Sequence, residues 1–322
     1  MMADAGFSAR RVDVTFTIAS GGLGAGAGGA DSVTLSGLRC QAHVVTAALP
    51  TGCSLSLRIA GMTPDLMNRL SLLAALPVGG DATKKPVAPN TVTLSAGDGD
   101  ATCVVFTGMV ADAYADFSAA PDVTFIVSAT SLALLQVWPL PATSHAGTCD
   151  YADRLADIAT GCGLGFRNGG FHHVATDYYN YGSARDQIER IRAATHARIV
   201  VDGNVLSVWP AADADVATGD AVVISAPTGM IGYPSYNQYG VTVDTLFNPA
   251  LRLWTPVSLQ ADYVSGATGG AAGNISGATQ DGWRMAANGM WLPYAISHEL
   301  DTMLPGGMWR SSVQAVRATA TA

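Results

Sequence analysis

Between residues 232 and 260 the chain reads GYPSYNQYGVTVDTLFNPALRLWTPVSLQ, and no other segment narrows the possible folds as far. Val241, Val243 and Thr245 recur at every second position, so they share one face of an extended strand while their neighbours share the other. Asn248-Pro249 interrupts the run, because proline fixes φ and offers no N–H to a ladder. Leu251 and Leu253 begin a second alternation, and a third short run follows Pro256. A turn at Gly232 opens the set. An amphipathic helix would space its apolar residues by three and four; here the period is two. The spacing predicts a small antiparallel barrel or sandwich.

The first third has the same texture. Val12, Val14, Phe16 and Ile18 lie on one face of a predicted strand, and Asp13, Thr15 and Thr17 lie on the other. Further strands are predicted over 33–38, 43–47, 55–59 and 122–129, and over 92–94 and 102–108 around the turn Gly97-Asp98-Gly99-Asp100. One helix interrupts them. Thr63 is placed to cap it, Pro64 and Asp65 suit its first turn, and Leu66, Met67, Leu70 and Leu73 form its apolar stripe. The module closes near Trp138-Pro139, with Pro139 and Pro141 as a linker.

The middle differs. Thr148 is placed to cap a helix carrying Tyr151, Leu155 and Ile158 on one face and ending at Gly161. Ser183 starts a second helix, with Asp186 three residues on as a variant capping box and Ile188, Ile191 and Thr195 as its stripe. Runs at 199–201 and 205–208 flank Asp202-Gly203-Asn204, a strong hairpin signal. Two helices and a hairpin make a small α+β unit over about 143–212. Strand texture returns at 222–225. A Gly, Ala, Ser and Thr-rich loop fills 266–282, and partly alternating runs at 291–300 and 309–316 complete a second β module.

Only 13% of the 322 residues are charged while 49% are apolar; the charged share is about half the roughly 25% of ordinary globular chains. Interface cores are depleted in charge, so such a chain fits a subunit that hides surface in permanent contacts. Lys and Arg number 17 against 25 Asp and Glu, a net charge of −8. That balance argues against an electrostatic grip on nucleic acid. The longest apolar window, near 70–78, contains Pro77 and falls short of a membrane span. The N-terminus, MMADAGFSARR, lacks the apolar core of a secretory signal. The five cysteines, Cys40, Cys53, Cys103, Cys149 and Cys162, are odd in number with no CxxC pair, and read as buried thiols in a reducing compartment.

Several candidate sites have a plainer reading beside the chemical one. Gly24-Ala25-Gly26-Ala27-Gly28-Gly29 fits G-x-G-x-x-G, but Asp31-Ser32-Val33-Thr34-Leu35 follows as a strand where a dinucleotide site needs a helix. His172-His173 with Asp177 lacks a third nearby His or Cys, and adjacent imidazoles on an extended segment point apart. His298-Glu299 lacks the second histidine of a metalloprotease helix. Asp98 with Asp100 reads as turn chemistry, and Asp112 with Asp116 as a solvated face. Trp138, Trp209, Trp254, Trp283, Trp291 and Trp309 offer a sugar platform or, more commonly, buried barrel ends and interfaces. No nucleophile elbow, P-loop or papain-like cysteine context is present. The sequence therefore assigns no catalytic, cofactor-binding or metal residue.

A set of ordered segments points to a family. They are Ser36-Gly37-Leu38-Arg39-Cys40, Met62-Thr63-Pro64-Asp65-Leu66-Met67-Asn68, Ala120-Pro121-Asp122-Val123, Ser183-Ala184-Arg185-Asp186-Gln187-Ile188 and Asp202-Gly203-Asn204-Val205-Leu206-Ser207-Val208-Trp209-Pro210. Thr228-Gly229-Met230-Ile231-Gly232-Tyr233-Pro234, Leu246-Phe247-Asn248-Pro249 and Leu304-Pro305-Gly306-Gly307-Met308-Trp309 continue the series. In this order, over about 10–318, the chain resembles the baseplate hub proteins of tailed bacteriophages, a group that includes contractile-tail hubs and the N-terminal part of VgrG spikes.

The resemblance implies a mainly β fold with α+β: two tube-type antiparallel β-barrel domains, 1–142 with a helical insertion near 63–76 and 222–322 with a Gly-rich loop at 264–282, flanking a small α+β domain at 143–221. It implies a structural virion protein of the tail baseplate, assembled in the host cytoplasm. Three copies would form a ring adapting a sixfold tail tube to a threefold spike and enclosing a channel for DNA or a tape-measure protein. Implied partners are copies of itself, tail tube and distal tail proteins, a spike on a separate polypeptide and the tape-measure protein, without sequence-specific nucleic-acid binding, membrane insertion, cofactor or enzymatic activity. The acidic balance then predicts a negative lumen. The competing expectations are a tail-associated cell-wall-degrading enzyme and a carbohydrate- or receptor-binding tail module.

Overall fold

In the computed structural model, the described residues are 10–18, 31–71, 90–99, 101–137, 140–211, 221–237, 240–261, 265–266 and 288–318. The first module is built from β1 (Arg10–Ile18), β2 (Asp31–Leu35), β3 (Arg39–Ala47), β4 (Ser54–Ala60), α1 (Pro64–Ser71), β5 (Thr91–Asp98), β6 (Ala101–Asp116), β7 (Thr124–Thr130) and α2 (Ala133–Val137). The alternation in β1 places Val12, Val14, Phe16 and Ile18 in the core. Val14 stands opposite Leu94 of β5 and both are fully buried. Burial of that kind stabilises by about 1.5–3 kcal/mol per side chain. Helix α1 starts as its sequence predicts. The Thr63 hydroxyl accepts from Leu66 N–H at 3.4 Å, Asp65 pairs with Arg69, and Met67 and Leu70 face the core.

The middle contains β8 (Thr143–Asp150), α3 (Tyr151–Gly161), β9 (Gly165–Asn168), β10 (Val174–Asn180), α4 (Ala184–Thr195), β11 (Arg198–Asp202) and β12 (Val205–Trp209). The predicted hairpin is β11–β12, closed by Gly203, at φ 57°, and Asn204. β9 runs parallel to β12, so these form a three-stranded sheet, while β8 and β10 form a separate antiparallel ribbon. Ser183 and Asp186 close a full capping box on α4. Thr148 does not cap α3. It lies within β8, and Asp150 is the cap, its carboxylate accepting from Ala152 N–H at 2.9 Å.

The last module holds β13 (Val222–Ser225), a 3-10 turn (Ala226–Thr228), β14 (Met230–Asn237), β15 (Gly240–Leu246), β16 (Val257–Gln260), β17 (Ser265–Gly266), β18 (Gly289–Asp301) and β19 (Trp309–Arg317). Two local expectations are corrected here. The turn expected at Gly232 is an irregularity inside β14, where four steps from Ile231 to Ser235 span two steps from Asp244 to Thr242 on β15, with Gly232 at φ 69°. Leu251 and Leu253 are buried but occupy a loop. Asn248 directs that outcome: its side-chain oxygen accepts from Ala250 N–H at 2.9 Å, a turn that competes with strand pairing.

Among the described residues fourteen strands form one sheet. Its path runs β17-β14-β15-β19-β18-β3-β4-β7-β6-β5-β1-β2, with β16 joined to β18 and β13 to β16. The two expected closed barrels are therefore corrected: the path has two ends and neither half closes on itself among these residues. Both β modules share a single hydrophobic core, and a second core, formed largely by the middle unit with Leu49, Leu132 and Leu135, lies beside it.

Candidate functional site

The fold offers surfaces and a seam. At the seam β3 and β18 pair antiparallel from Ala47 opposite Ala295 to Gln41 opposite Asp301. Thr302 locks its end: Thr302 N–H donates to Cys40 O at 2.8 Å, and Cys40 N–H donates to the Thr302 hydroxyl at 2.9 Å. Arg10, at the start of β1, donates to Gly307 O and sits 5.7 Å over the Trp309 ring. The first and last modules are thus tied by backbone bonds as well as by a common core.

The two ends of the sheet are chemically different. β2 pairs only with β1 among the described strands. At the other end, among the described residues, β17 pairs with β14 at Ser235 and Tyr236. Ile231, Tyr233 and Leu246 are exposed there at 41%, 60% and 53%.

A cavity of about 120 Å³ opens where the three parts of the chain meet, lined by Val104, Arg167, Asp202, Trp209, Arg252 and His298 among others. The loop between β15 and β16 forms one wall. Trp254 in that loop is buried at φ 57°, held by its backbone N–H on Pro293 O at 2.9 Å and by the Arg198 guanidinium 4.1 Å over its ring. A bulky residue in that backbone region costs on the order of 1–3 kcal/mol, so the surrounding packing must hold it. Arg252 lies 3.9 Å from Asp202; burial raises the Asp202 carboxyl above its usual range and Arg252 opposes that shift. This loop joins the last module to the middle one. Sequence reasoning missed it because Leu251 and Leu253 mimic a strand and Asp202 reads as a turn residue.

Among the described residues the candidate groups do not converge on a reaction centre. His298 is buried, its Nδ1 2.8 Å from the Ser311 hydroxyl, and its ring meets Phe247 edge-on. Burial, with Arg252 nearby, holds its pKa down to about 4. Ser311 is wholly buried, and its oxygen accepts from Asn248 N–H, so the pair braces the core. Glu299 pairs instead with Arg310 at 2.7 Å. His172 bonds Asp150, His173 stacks on Tyr151, and Asp177 accepts from Gly147 N–H, three separate engagements. Asp112 is exposed, and Asp116 accepts from Ser118 N–H, which lowers its pKa. Asp98 ends β5, exposed; Asp100, Gly24 to Gly29, Trp138 and Trp283 lie outside the described residues. The segment after the glycine run is the strand β2. Trp254, Trp291 and Trp309 are buried and Trp209 is half-buried, which leaves no ring platform among them. All five thiols are free; burial pushes Cys40 and Cys53 up to about 12 and Cys162 to about 11. No helix among the described residues is long and apolar enough to cross a membrane.

Solved structures share this architecture. A tail protein from Neisseria meningitidis MC58 superposes with a TM-score of 0.56 at 9% identity, over 95% of this chain and 96% of that one. The 43 kDa tail protein of prophage MuSo2 from Shewanella oneidensis gives 0.54 at 10% identity, over 96% and 99%. The E. coli c3393 protein, described as a component of the type VI secretion system with structural similarity to the T4 tail proteins gp27 and gp5, gives 0.51 at 8% identity, over 87% and 74%. At such identities the likeness concerns the fold. No curated protein matches the sequence. The model of the family Baseplate hub gp41 matches residues 11–264, most of the chain. The extended β architecture and this family match lead to one assignment: the chain belongs to the baseplate hub gp41 family of phage tail structural proteins.

Proposed function

We propose that the chain is the repeating unit of a homotrimeric hub ring. Three copies enclose a channel for DNA or a tape-measure protein and adapt a sixfold tail tube above to a threefold spike below. The seam carries this reading: within one chain, β3 of the first module pairs with β18 of the last over seven consecutive positions. A join of the same kind is open between chains, with the β2 end of one copy against the β14–β17 end of the next. Such head-to-tail contacts close when each copy turns by a third of a circle.

The proposed division is 1–142, 143–221 and 222–322. It gives two β modules per chain and six per ring, each completed as a tube-type barrel by its neighbours, with the middle unit outside the ring of strands. The scarcity of charge, 13% of residues, supports a chain with much of its surface in permanent contacts. The function is geometric and the residues named above serve packing.

Native mass measurement of the purified chain, alone and with tail components, tests the reading. The expected species has about three times the 33.0 kDa chain mass. A monomer at every concentration that never assembles with tail components overturns it.

A further inference from the structure

The cavity where the three parts of the chain meet has one wall whose chemistry is set by strand alternation. In the middle sheet, Ile199 and Val201 of β11 and Leu206 and Val208 of β12 belong to the second core. Their neighbours in sequence therefore point the other way. Register sets Arg167 of β9, Ser207 of β12 and Val200 of β11 side by side, and all three line the cavity. Asp202 and Trp209, two residues on from Val200 and Ser207, line it as well. From the last module, the loop between β15 and β16 brings Arg252 and Thr255 to the same space.

The charges gathered there are unbalanced. Two guanidiniums face one carboxylate, in a chain where acidic residues outnumber basic ones 25 to 17. The remaining ionisable group in the lining, His298, has a pKa near 4 and is neutral at pH 7. Arg252 stands 3.9 Å from Asp202, beyond hydrogen-bond length, and burial raises the Asp202 carboxyl. Among the described residues Arg167 has no ion pair, and the side chains of Arg167, Arg252, Asp202, Ser207 and Thr255 make no hydrogen bond. At about 120 Å³ the cavity is several times the roughly 10–15 Å³ that one water needs, which gives room for a small polyatomic ion. Asp202 and Arg252 are 41% and 57% exposed, so the space is reached from solvent.

We propose that this cavity binds a small oxyanion, a carboxylate or phosphate group, clasped between the Arg167 and Arg252 guanidiniums. A guanidinium presents paired N–H donors that match two oxygens of such a group, and charge makes these bonds stronger than neutral ones. The Ser207 and Thr255 hydroxyls supply further donors. Asp202 competes for Arg252 and repels the anion, so it limits the affinity. The bound group joins β9 of the middle unit to a loop of the last module. It comes either as a free phosphate-like ion or as the carboxylate of an acidic side chain on another polypeptide.

Titration of the purified full chain at pH 7, followed through the arginine side-chain Nε–Hε resonances, tests the site. Sulfate stands for a phosphate group and acetate for a side-chain carboxylate, each against chloride at equal ionic strength. Saturable shifts of the Arg167 and Arg252 resonances with sulfate or acetate, and not with chloride, are expected. A response to sulfate alone assigns a phosphate-like ion, one to acetate alone assigns a carboxylate, and a response to both assigns their shared chemistry. Arg167→Gln and Arg252→Gln are each expected to weaken binding about tenfold or more. Asp202→Asn keeps an Asx-Gly turn at the β11–β12 hairpin and is expected to strengthen it. Arg167 is exposed, so its variant is expected to melt with the parent and decides the matter if Arg252→Gln does not fold. The proposal is overturned if neither anion gives a saturable shift beyond that of chloride, or if Arg167→Gln binds as the parent does.

Discussion

His298 shows how far a single residue can be read from sequence. In the string Ser297-His298-Glu299-Leu300 it invites a metal or acid–base role. Which strand face it occupies decides otherwise, and that depends on β18 lying between β3 and β19. Buried against Phe247 and bonded to Ser311, it stays neutral, with a pKa near 4 instead of the ordinary 6.5. Below about pH 6.5 the unfolded chain takes up a proton that the folded chain refuses. Stability should therefore fall between about pH 6.5 and 4, by on the order of 3 kcal/mol from this group, and above 6.5 this group adds no slope. Urea midpoints measured across that range check it: His298→Gln, which keeps a partner for Ser311 and does not titrate, should flatten the slope, and an unchanged slope refutes the assignment. Gly240 is a second residue-scale test. At φ 147°, a Cβ there would stand 2.1 Å from Ala315 O, so Gly240→Ala should cost roughly 2–4 kcal/mol in chemical denaturation. An unchanged midpoint would show that β15 and β19 part easily at that point.

Elements were legible wherever burial imposed a period. β1, β4, β15 and the β11–β12 hairpin follow their alternation, and α4 begins at its predicted cap. The misses share a cause. β8 and β9 have little or no buried face, so they leave no hydrophobic period to read, and the β8–β10 register shifts between Thr176 and Tyr178, three steps on β8 against two on β10. The loop carrying Leu251 and Leu253 erred the other way, because burial supplied the period of a strand while the Asn248 turn supplied the backbone. Since the capping box on α4 satisfies N-terminal amides from both directions, Ser183→Ala should destabilise the middle unit by about 1 kcal/mol. Hydrogen exchange over α4 reads this directly; loss of protection there with β1 and β5 unchanged is the expected pattern.

At the scale of the whole molecule the strand texture near both ends of the chain was legible, but not that those strands join one sheet. Short-range patterns specify strands; the pairing of β3 with β18 joins residues some 250 positions apart, and no local signal encodes it. One shared core follows from that pairing, so the first and last modules should melt in a single calorimetric transition, and two separable transitions for them would contradict a common core. Assembly is the larger consequence. On the ring proposed above, the two ends of the sheet path among the described residues would be finished by neighbouring copies. The most direct measurement is an electron cryomicroscopy reconstruction of the assembled tail tip. The account predicts three copies of this chain around the axis, six β modules forming one continuous ring, and a central channel. Any other copy number, or a copy lying off the axis with its β2 and β14 edges facing solvent, would contradict it.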